Sequence, residues 1–403
     1  FAPQSSVYAY EAALLRKAQF TLTKQLCSAK LLREKAMRID NKSISAILLF
    51  FLFMGSVGFM NHVIVIPAIL DIAGRDAWTT VLMGFALLAL WTLLPALVVR
   101  KMNGKPLNEW LRDRTGPLGS KLILTLPFVA LIGSVAVTLF DTLTWTRTNY
   151  LPETPLFVTG SVFMLLCLAA AASGLSAITL ANGILLPFVI LFGLFVMTAN
   201  IPDKHYDLLI PVFEKGPVPA ITAIPLFGAG YVELVLIVLL QHRLKRPVGA
   251  KWLLLIGFVL AGLTLGPIMG AISEFGPAEA AKQRYPAYEQ WRLVQIGKYI
   301  EHVDFLSIYQ WMTGAFIRIS LSLYLLGQLS GLRSERQRTW LLLLIGAAAV
   351  VFAISPISDA SFYYALSRCW LPASFGILFV FSLAVTVASW LHTDRGRSKR
   401  SDA

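Results

Sequence analysis

The sequence predicts an all-α polytopic membrane protein of ten transmembrane helices, arranged as a 5+5 inverted repeat with helices one and six broken. Three observations carry that prediction. Of the 403 residues, 57% are hydrophobic and 14% are charged, whereas a soluble domain carries about 25% charged residues. Apolar runs of about 20 residues, each long enough to span a bilayer, recur along the whole chain. The first and sixth of these runs are interrupted by glycine and proline at corresponding places, the pattern of a transporter-type site near the bilayer midplane. The net charge of +13 would suggest a nucleic-acid partner in a soluble protein. Here the basic residues sit in short loops between apolar runs, which is how membrane orientation is encoded, so no nucleic-acid partner is expected.

Residues 1–36 are polar to amphipathic and begin with Phe1, and Met37 stands directly before the first apolar run. They read as an N-terminal extension: an upstream segment, a processed tail, or the product of a start choice. They lack the continuous apolar stretch and small-residue cleavage site of a signal peptide. The transmembrane domain is expected over 37–392. Span one runs over 44–69 and contains GSVGFMNHVIVIP; span two runs over 78–99. A basic, partly amphipathic link covers 103–121. Span three follows at 122–145, span four at 156–173 and span five at 177–200. A loop with Pro202 and Pro211 leads to span six, 217–241, which is interrupted by PLFGAG. Span seven covers 252–272, and a longer polar loop, 273–300, precedes span eight at 303–328. Span nine is 339–354. Span ten is 369–391, after SPISDASFYYALSR, and a basic cytoplasmic tail, 393–403, closes the chain.

The alternation can be tested by charge. With the N-terminus inside, the inside segments hold 25 Lys and Arg and the outside segments hold 9. That bias favours both termini in the cytoplasm, and an even number of spans is required for that. Ten spans divide into two sets of five, making spans one and six equivalent. Span one carries Gly55, Gly58 and Pro67; span six carries Pro225, Gly228 and Gly230. Unwinding at such places frees backbone N–H and C=O groups, which lipid cannot satisfy and a polar ligand can. Glycines that merely permit close helix packing are the plainer explanation for either helix alone.

The residue that draws most attention is Arg318, near the middle of span eight. It lies about fifteen residues from the outer start of the span and ten from the inner end, too deep for easy snorkelling. An arginine at that depth needs a partner. Its helix face carries Trp311, Gly314 and Ser322. The best partner is Glu233 of span six, and two readings follow: a charge pair between Glu233 and Arg318, or an Arg318 that receives the carboxylate of a small ligand. Ser134, Thr138 and Asp141 share a face of span three, with Asp141 close enough to the outer end to reach water. His62 of span one is a lone histidine, which more often satisfies a backbone carbonyl than binds a ligand. Glu301, His302 and Asp304 sit at a helix start, where acids suit the dipole, and read as a cap. Cys27, Cys167 and Cys369 are scattered and in no metal spacing, so neither a disulfide framework nor a metal site is expected. No P-loop, dinucleotide fingerprint, HExxH or GxSxG motif occurs, so neither an enzyme nor a cofactor is expected.

Four runs carry a resemblance to a known family: GFMNHVIVIPAILDIAGRDAW (58–78), GPVPAITAIPLFGAGYVELVLI (216–237), YPAYEQWRLVQIGKYIEHVDFLSIYQWMTGAFIRISLSLY (285–324) and SPISDASFYY (355–364). From Met37 onward the chain resembles the B subunit of spore germinant receptors, the endospore germination permease branch of the amino acid–polyamine–organocation superfamily. The resemblance implies a 5+5 inverted repeat with helices one and six unwound at a central pocket. It implies an inner-spore-membrane protein that senses small nutrients, often amino acids, with an A-type membrane subunit and a C-type lipoprotein as partners. It places pocket positions at Gly55 and Ser56 in span one, Val129 and Gly133 in span three, Ala229 and Gly230 in span six, and Arg318 and Ser322 in span eight. Arg318 departs from the pattern, because a simple zwitterion would call for a neutral polar group there. The departure favours an anionic ligand group or an internal counterion such as Glu233. The expected function is germinant sensing by binding a small solute in a midplane pocket. The alternative on the same fold is a secondary active transporter of amino acids or related solutes.

Overall fold

The computed structural model describes residues 44–295, 302–332 and 334–391. The expectations placed on residues 1–36, on the 393–403 tail, on Cys27 and on Glu301 lie outside the described residues. Among the described residues the chain is helical, with one isolated bridge between Ile44 and Leu244. Eight helical runs among them are long and apolar enough to cross a membrane, and the protein is an all-α polytopic membrane protein. The first run, Ala46–Met102, has 57 residues, about 85 Å if straight and far more than a hydrocarbon core of about 30 Å. Gly74, at φ 52° and ψ −123°, divides it into predicted spans one and two. Span four is the shorter helix Leu156–Ala172, so each of the ten predicted spans corresponds to a helix.

Several boundaries shift. The basic link is itself helical from Leu107 up to a break at Gly116 (φ 72°), and span three follows from Pro117. Trp110 of that link is buried and carries the Arg114 guanidinium 4.2 Å from its ring centre. Span ten begins at Asp359, capped by Ser358, whose Oγ accepts from the Ser361 amide at 3.1 Å. A π-helical turn, Leu366–Trp370, joins this start to Leu371–Ala388.

Spans one and six both depart from α geometry without becoming extended. Span one runs as Ala46–Phe59, a π-helical turn at Met60–Ile64, then Val65–Ala73. Span six runs as Val218–Thr222 and Ile224–Tyr231, then tightens to a 3₁₀ stretch at Val232–Leu236. The irregular turns follow Gly58 and Gly230 rather than falling on them. Span eight, Leu306–Leu329, packs against spans one, three, four and five. Span six packs against spans one, two and ten. These two helices are therefore the enclosed ones, while the outer faces of spans four and five present Phe157, Val162, Leu165 and Leu191 outward, as lipid contact requires.

Candidate functional site

The centre of the molecule is built on Arg318. Its guanidinium meets the Glu233 carboxylate fork to fork: Nη1 donates to Oε2 and Nη2 to Oε1, both at 2.6 Å. Arg318 is 2% exposed and Glu233 7%, so the pair is held away from solvent. A planar guanidinium offers five N–H groups to match, and two more are taken up nearby. Nε donates to Thr138 Oγ1 at 3.1 Å, and Nη1 also donates to the Ser56 carbonyl at 3.3 Å. The backbone beside that carbonyl is irregular. The Met60 amide bonds to Val57 O, one residue short of the Ser56 carbonyl that α-helical register would assign it. On the other side Glu233 sits inside the 3₁₀ stretch of span six. Both irregular helices thus present a group to one arginine on a regular helix.

A cavity with about 10 Å³ open to the centres of water molecules adjoins the pair, room for about one water. Ser56, Ser134, Glu233, Arg318 and Ser322 supply its polar walls, and Leu236 and Leu321 are among its apolar ones. Toward the predicted outer side the site is closed by aromatic rings. Trp311 stacks on Trp145 with ring centres 4.3 Å apart and planes 3° apart, and it donates from Nε1 to Thr142 Oγ1 at 3.3 Å. Phe59 and Tyr285 meet the Trp311 ring edge-on at 5.7 and 5.3 Å.

A second charge cluster lies beyond those rings. Arg284, in the loop before span eight, donates from Nη2 to Asp141 and from Nε to both Asp359 oxygens at 3.3 Å. Its guanidinium also lies 4.6 Å from the Tyr285 ring centre and 5.1 Å from that of Tyr363. Burial alone would lower the Arg284 pKa, but the Asp141 and Asp359 carboxylates outweigh it and hold the group above the ordinary arginine value. Asp141 is fully buried, which corrects the expectation that it reaches water: the loop folds over it. Asp304 does not cap span eight through its carboxylate. Its Oδ2 accepts from the Tyr288 and Tyr150 hydroxyls at 3.3 and 3.4 Å, while its backbone carbonyl takes the Ser307 amide. His62 bonds through Nδ1 to the Leu263 carbonyl at 3.0 Å.

Comparison with known proteins decides the family. Residues 42–360 match the spore permease family, described as spore germination protein. The chain belongs to that family. It is 42% identical over 345 residues to spore germination protein XB of Bacillus anthracis, covering 86% of this chain and 97% of that protein. The putative spore germination protein YfkT of Bacillus subtilis (strain 168) shares 27% over 270 residues, 64% of this chain and 70% of its own length. Spore germination protein KB of the same organism shares 23% over 349 residues, 83% and 92% respectively. The chain is thus a germination-related integral membrane protein.

Within this spore permease the eight carried-over pocket positions divide. Ser56, Arg318 and Ser322 line the cavity. Gly55 is one residue away and packs on Asn182, whose side chain a Cβ would strike. Ala229 and Gly230 are buried and are not among the residues lining the cavity, Gly230 lying against Asn61. The two positions in span three are displaced. Val129 is 44% exposed on the outer face of the bundle, and a Cβ at Gly133 would run into the Trp370 ring. Their neighbours Ala130 and Ser134 line the cavity instead, one residue further along a helix whose period decides which side faces in. Thr138 was legible from the polar face it shares with Ser134. Arg284 was not, because a loop arginine carries no periodic signal.

Proposed function

We propose that this chain is the membrane-embedded, germinant-binding subunit of a spore germination receptor. It binds a small solute, an amino acid or a similar molecule, in a midplane pocket around Arg318 and Glu233. The observation that carries the reading is the buried fork-to-fork ion pair set between two irregular helices, with Ser56, Ser134 and Ser322 beside it. In lipid a charge pair is costly to maintain and marks function by default. The cavity as it stands holds about one water, so solute entry rearranges the pair: a carboxylate competes with Glu233 for Arg318, and an ammonium competes with Arg318 for Glu233. On this reading the ten helices form two five-helix halves, both termini face the cytoplasm, the protein resides in the inner spore membrane, and an A-type membrane subunit and a C-type lipoprotein complete the receptor.

The test is thermal stabilisation of the purified chain by a panel of the twenty standard amino acids. A ligand that binds the native state raises its melting temperature by mass action. The stabilising solute is expected to lose most of its effect in Arg318→Ala, and in Arg318→Lys should the alanine variant not fold. Equal stabilisation of wild type and variant would move the site elsewhere. Solute accumulation in vesicles containing this chain alone would replace the receptor with a transporter.

A further inference from the structure

Arg284 is held in a recess formed by other elements. Its walls come from span three and the start of span ten: the Asp141 and Asp359 carboxylates and the Tyr363 ring. Phe140 and Phe362, the chain neighbours of Asp141 and Tyr363, stack with ring centres 3.9 Å apart and planes 19° apart. Packing that excludes Arg284 therefore holds the two sides together. Arg284 itself comes from the short turn between the helices Pro277–Ala280 and Pro286–Arg292. Two carboxylates beside an aromatic ring are the groups that recognise a guanidinium or an ammonium.

The tethered guanidinium fills this recess incompletely. Asp141 is 0% exposed, yet only its Oδ1 is bonded, and Oδ2 is buried with no hydrogen-bond partner. Asp359 is reached by the single Nε, shared between its two oxygens at 3.3 Å, where a charge-assisted bond runs at about 2.7–2.9 Å. The Arg318–Glu233 contact, fork to fork at 2.6 Å, is the better fitted of the two arginine sites. An unmet oxygen on a buried carboxylate is costly. The recess is also open to solvent at its rim, with the Asp359 side chain 37% exposed and that of Arg284 17%. We propose that this recess is a second binding site, for a small free organic cation carrying a guanidinium or a primary ammonium, and that Arg284 occupies it as a tethered stand-in that the cation displaces. The site goes beyond the reading above and uses no residue of the Arg318 pocket. A primary ammonium has three donors and a guanidinium five. Neither is held by a loop when free, so each can serve Asp141 Oδ2 as well as Asp359. The arriving charge replaces the departing one, so neither carboxylate is stranded. An anion or a neutral solute offers no such exchange. Displacement frees the 277–292 segment, so binding reads out as loosening of that loop.

The experiment uses full chains purified in detergent: wild type, Arg284→Ala, and Arg284→Ala combined with Asp141→Asn. The probes are methylguanidinium chloride and ethylammonium chloride, with sodium chloride and tetramethylammonium chloride as controls. All are used up to about 100 mM, well below the molar concentrations of guanidinium that unfold proteins. In Arg284→Ala one of the probes is expected to restore about half or more of the lost melting temperature, saturably, because a bound cation stabilises by mass action. The controls are expected to restore none of it, and the probe none in the double variant. In wild type the probe competes with a tethered group, so its half-effect concentration is expected to be about tenfold higher. There its binding is expected to speed amide hydrogen exchange across 277–292 about threefold or more. Should Arg284→Ala fail to fold, Arg284→Gln takes its place, and the wild-type exchange measurement stands by itself. Failure of both probes to rescue a folded variant overturns the proposal. Equal rescue by sodium or tetramethylammonium assigns the effect to salt and overturns it too, as does rescue that persists without the Asp141 carboxylate. Rescue with no loosening of the wild-type segment makes Arg284 a permanent structural cation and overturns the displacement.

Discussion

At the scale of single residues, the Arg318–Glu233 pair sets the energetics of the core. Two ions taken out of water recover the desolvation cost only with good geometry and further hydrogen bonds. The fork-to-fork contact, Thr138 Oγ1 and the Ser56 carbonyl supply these. Removing one partner strands the other. Glu233→Leu and Arg318→Leu are each expected to destabilise the protein by about 3–5 kcal/mol, while the double variant costs less than either single one. Melting of the three variants in detergent checks this. Germination complementation then separates structure from function, because a folded double variant that still responds to germinant would leave the pair a structural bridge only. The sequence made this pair legible because both charges are rare in apolar runs and stand out singly. The register of span three was not legible, since Val129 and Ala130 differ in no property that composition can weigh, and a rotation of one residue separates the outer face from the cavity.

At the scale of elements, small residues admit large neighbours. Gly133 holds the Trp370 ring against span three, Gly84 takes Phe227 and Gly314 takes Phe59. Such contacts suit membrane helices, whose association depends on close packing rather than on expelling water. Gly133→Ala is expected to cost about 1–3 kcal/mol through overpacking, whereas Val129→Ala, on the outer face, is expected to change melting little. The reverse order in a melting comparison would return Val129 to the interior. The irregular turns belong to this scale too. Glycine spacing pointed to spans one and six, but the turns themselves fall at Met60–Ile64 and Val232–Leu236. A further π-helical turn at Leu366–Trp370 in span ten had no glycine within it to announce it.

At the scale of the whole molecule, loop contacts sort by side. On the side predicted to be outer, Asp76 accepts from the Phe213 amide, Arg75 pairs with Glu214, the His205 amide donates to the Ser273 carbonyl, and Arg284 ties Asp141 to Asp359. On the opposite side the Lys245 backbone amide donates to the Ile44 carbonyl, the Gln241 side chain to that of Lys105, and the Lys101 ammonium to that of Ser389. Each contact joins loops or span ends at one end of the bundle. The Arg284 clamp lies at the end predicted to be outer, beside Tyr285, whose ring meets Trp311 edge-on. Arg284→Ala leaves the fully buried Asp141 without its cation and is expected to cost about 3–5 kcal/mol. Adding Asp141→Asn is expected to recover most of that loss, and chemical denaturation of the purified variants reads both. If Arg284→Ala melts like wild type, the clamp does not hold the outer end.

The sequence alone determined the helical class, the apolar runs that form the long helices and the two buried charges at the centre of the molecule. Each of these follows from a local rule: run length against bilayer thickness, or the cost of a charge in an apolar run. Tertiary structure decided which face of span three looks inward, that the loop carrying Arg284 folds back over Asp141, and that Asn61 meets Gly230. These depend on how helices far apart in the chain rotate and pack, and a one-residue rotation of a uniformly apolar helix leaves almost no trace in its composition. The Arg318 question is sharpened by the same packing. The arginine is already satisfied by Glu233, Thr138 and Ser56, so any solute that binds there must first offer both charges something better.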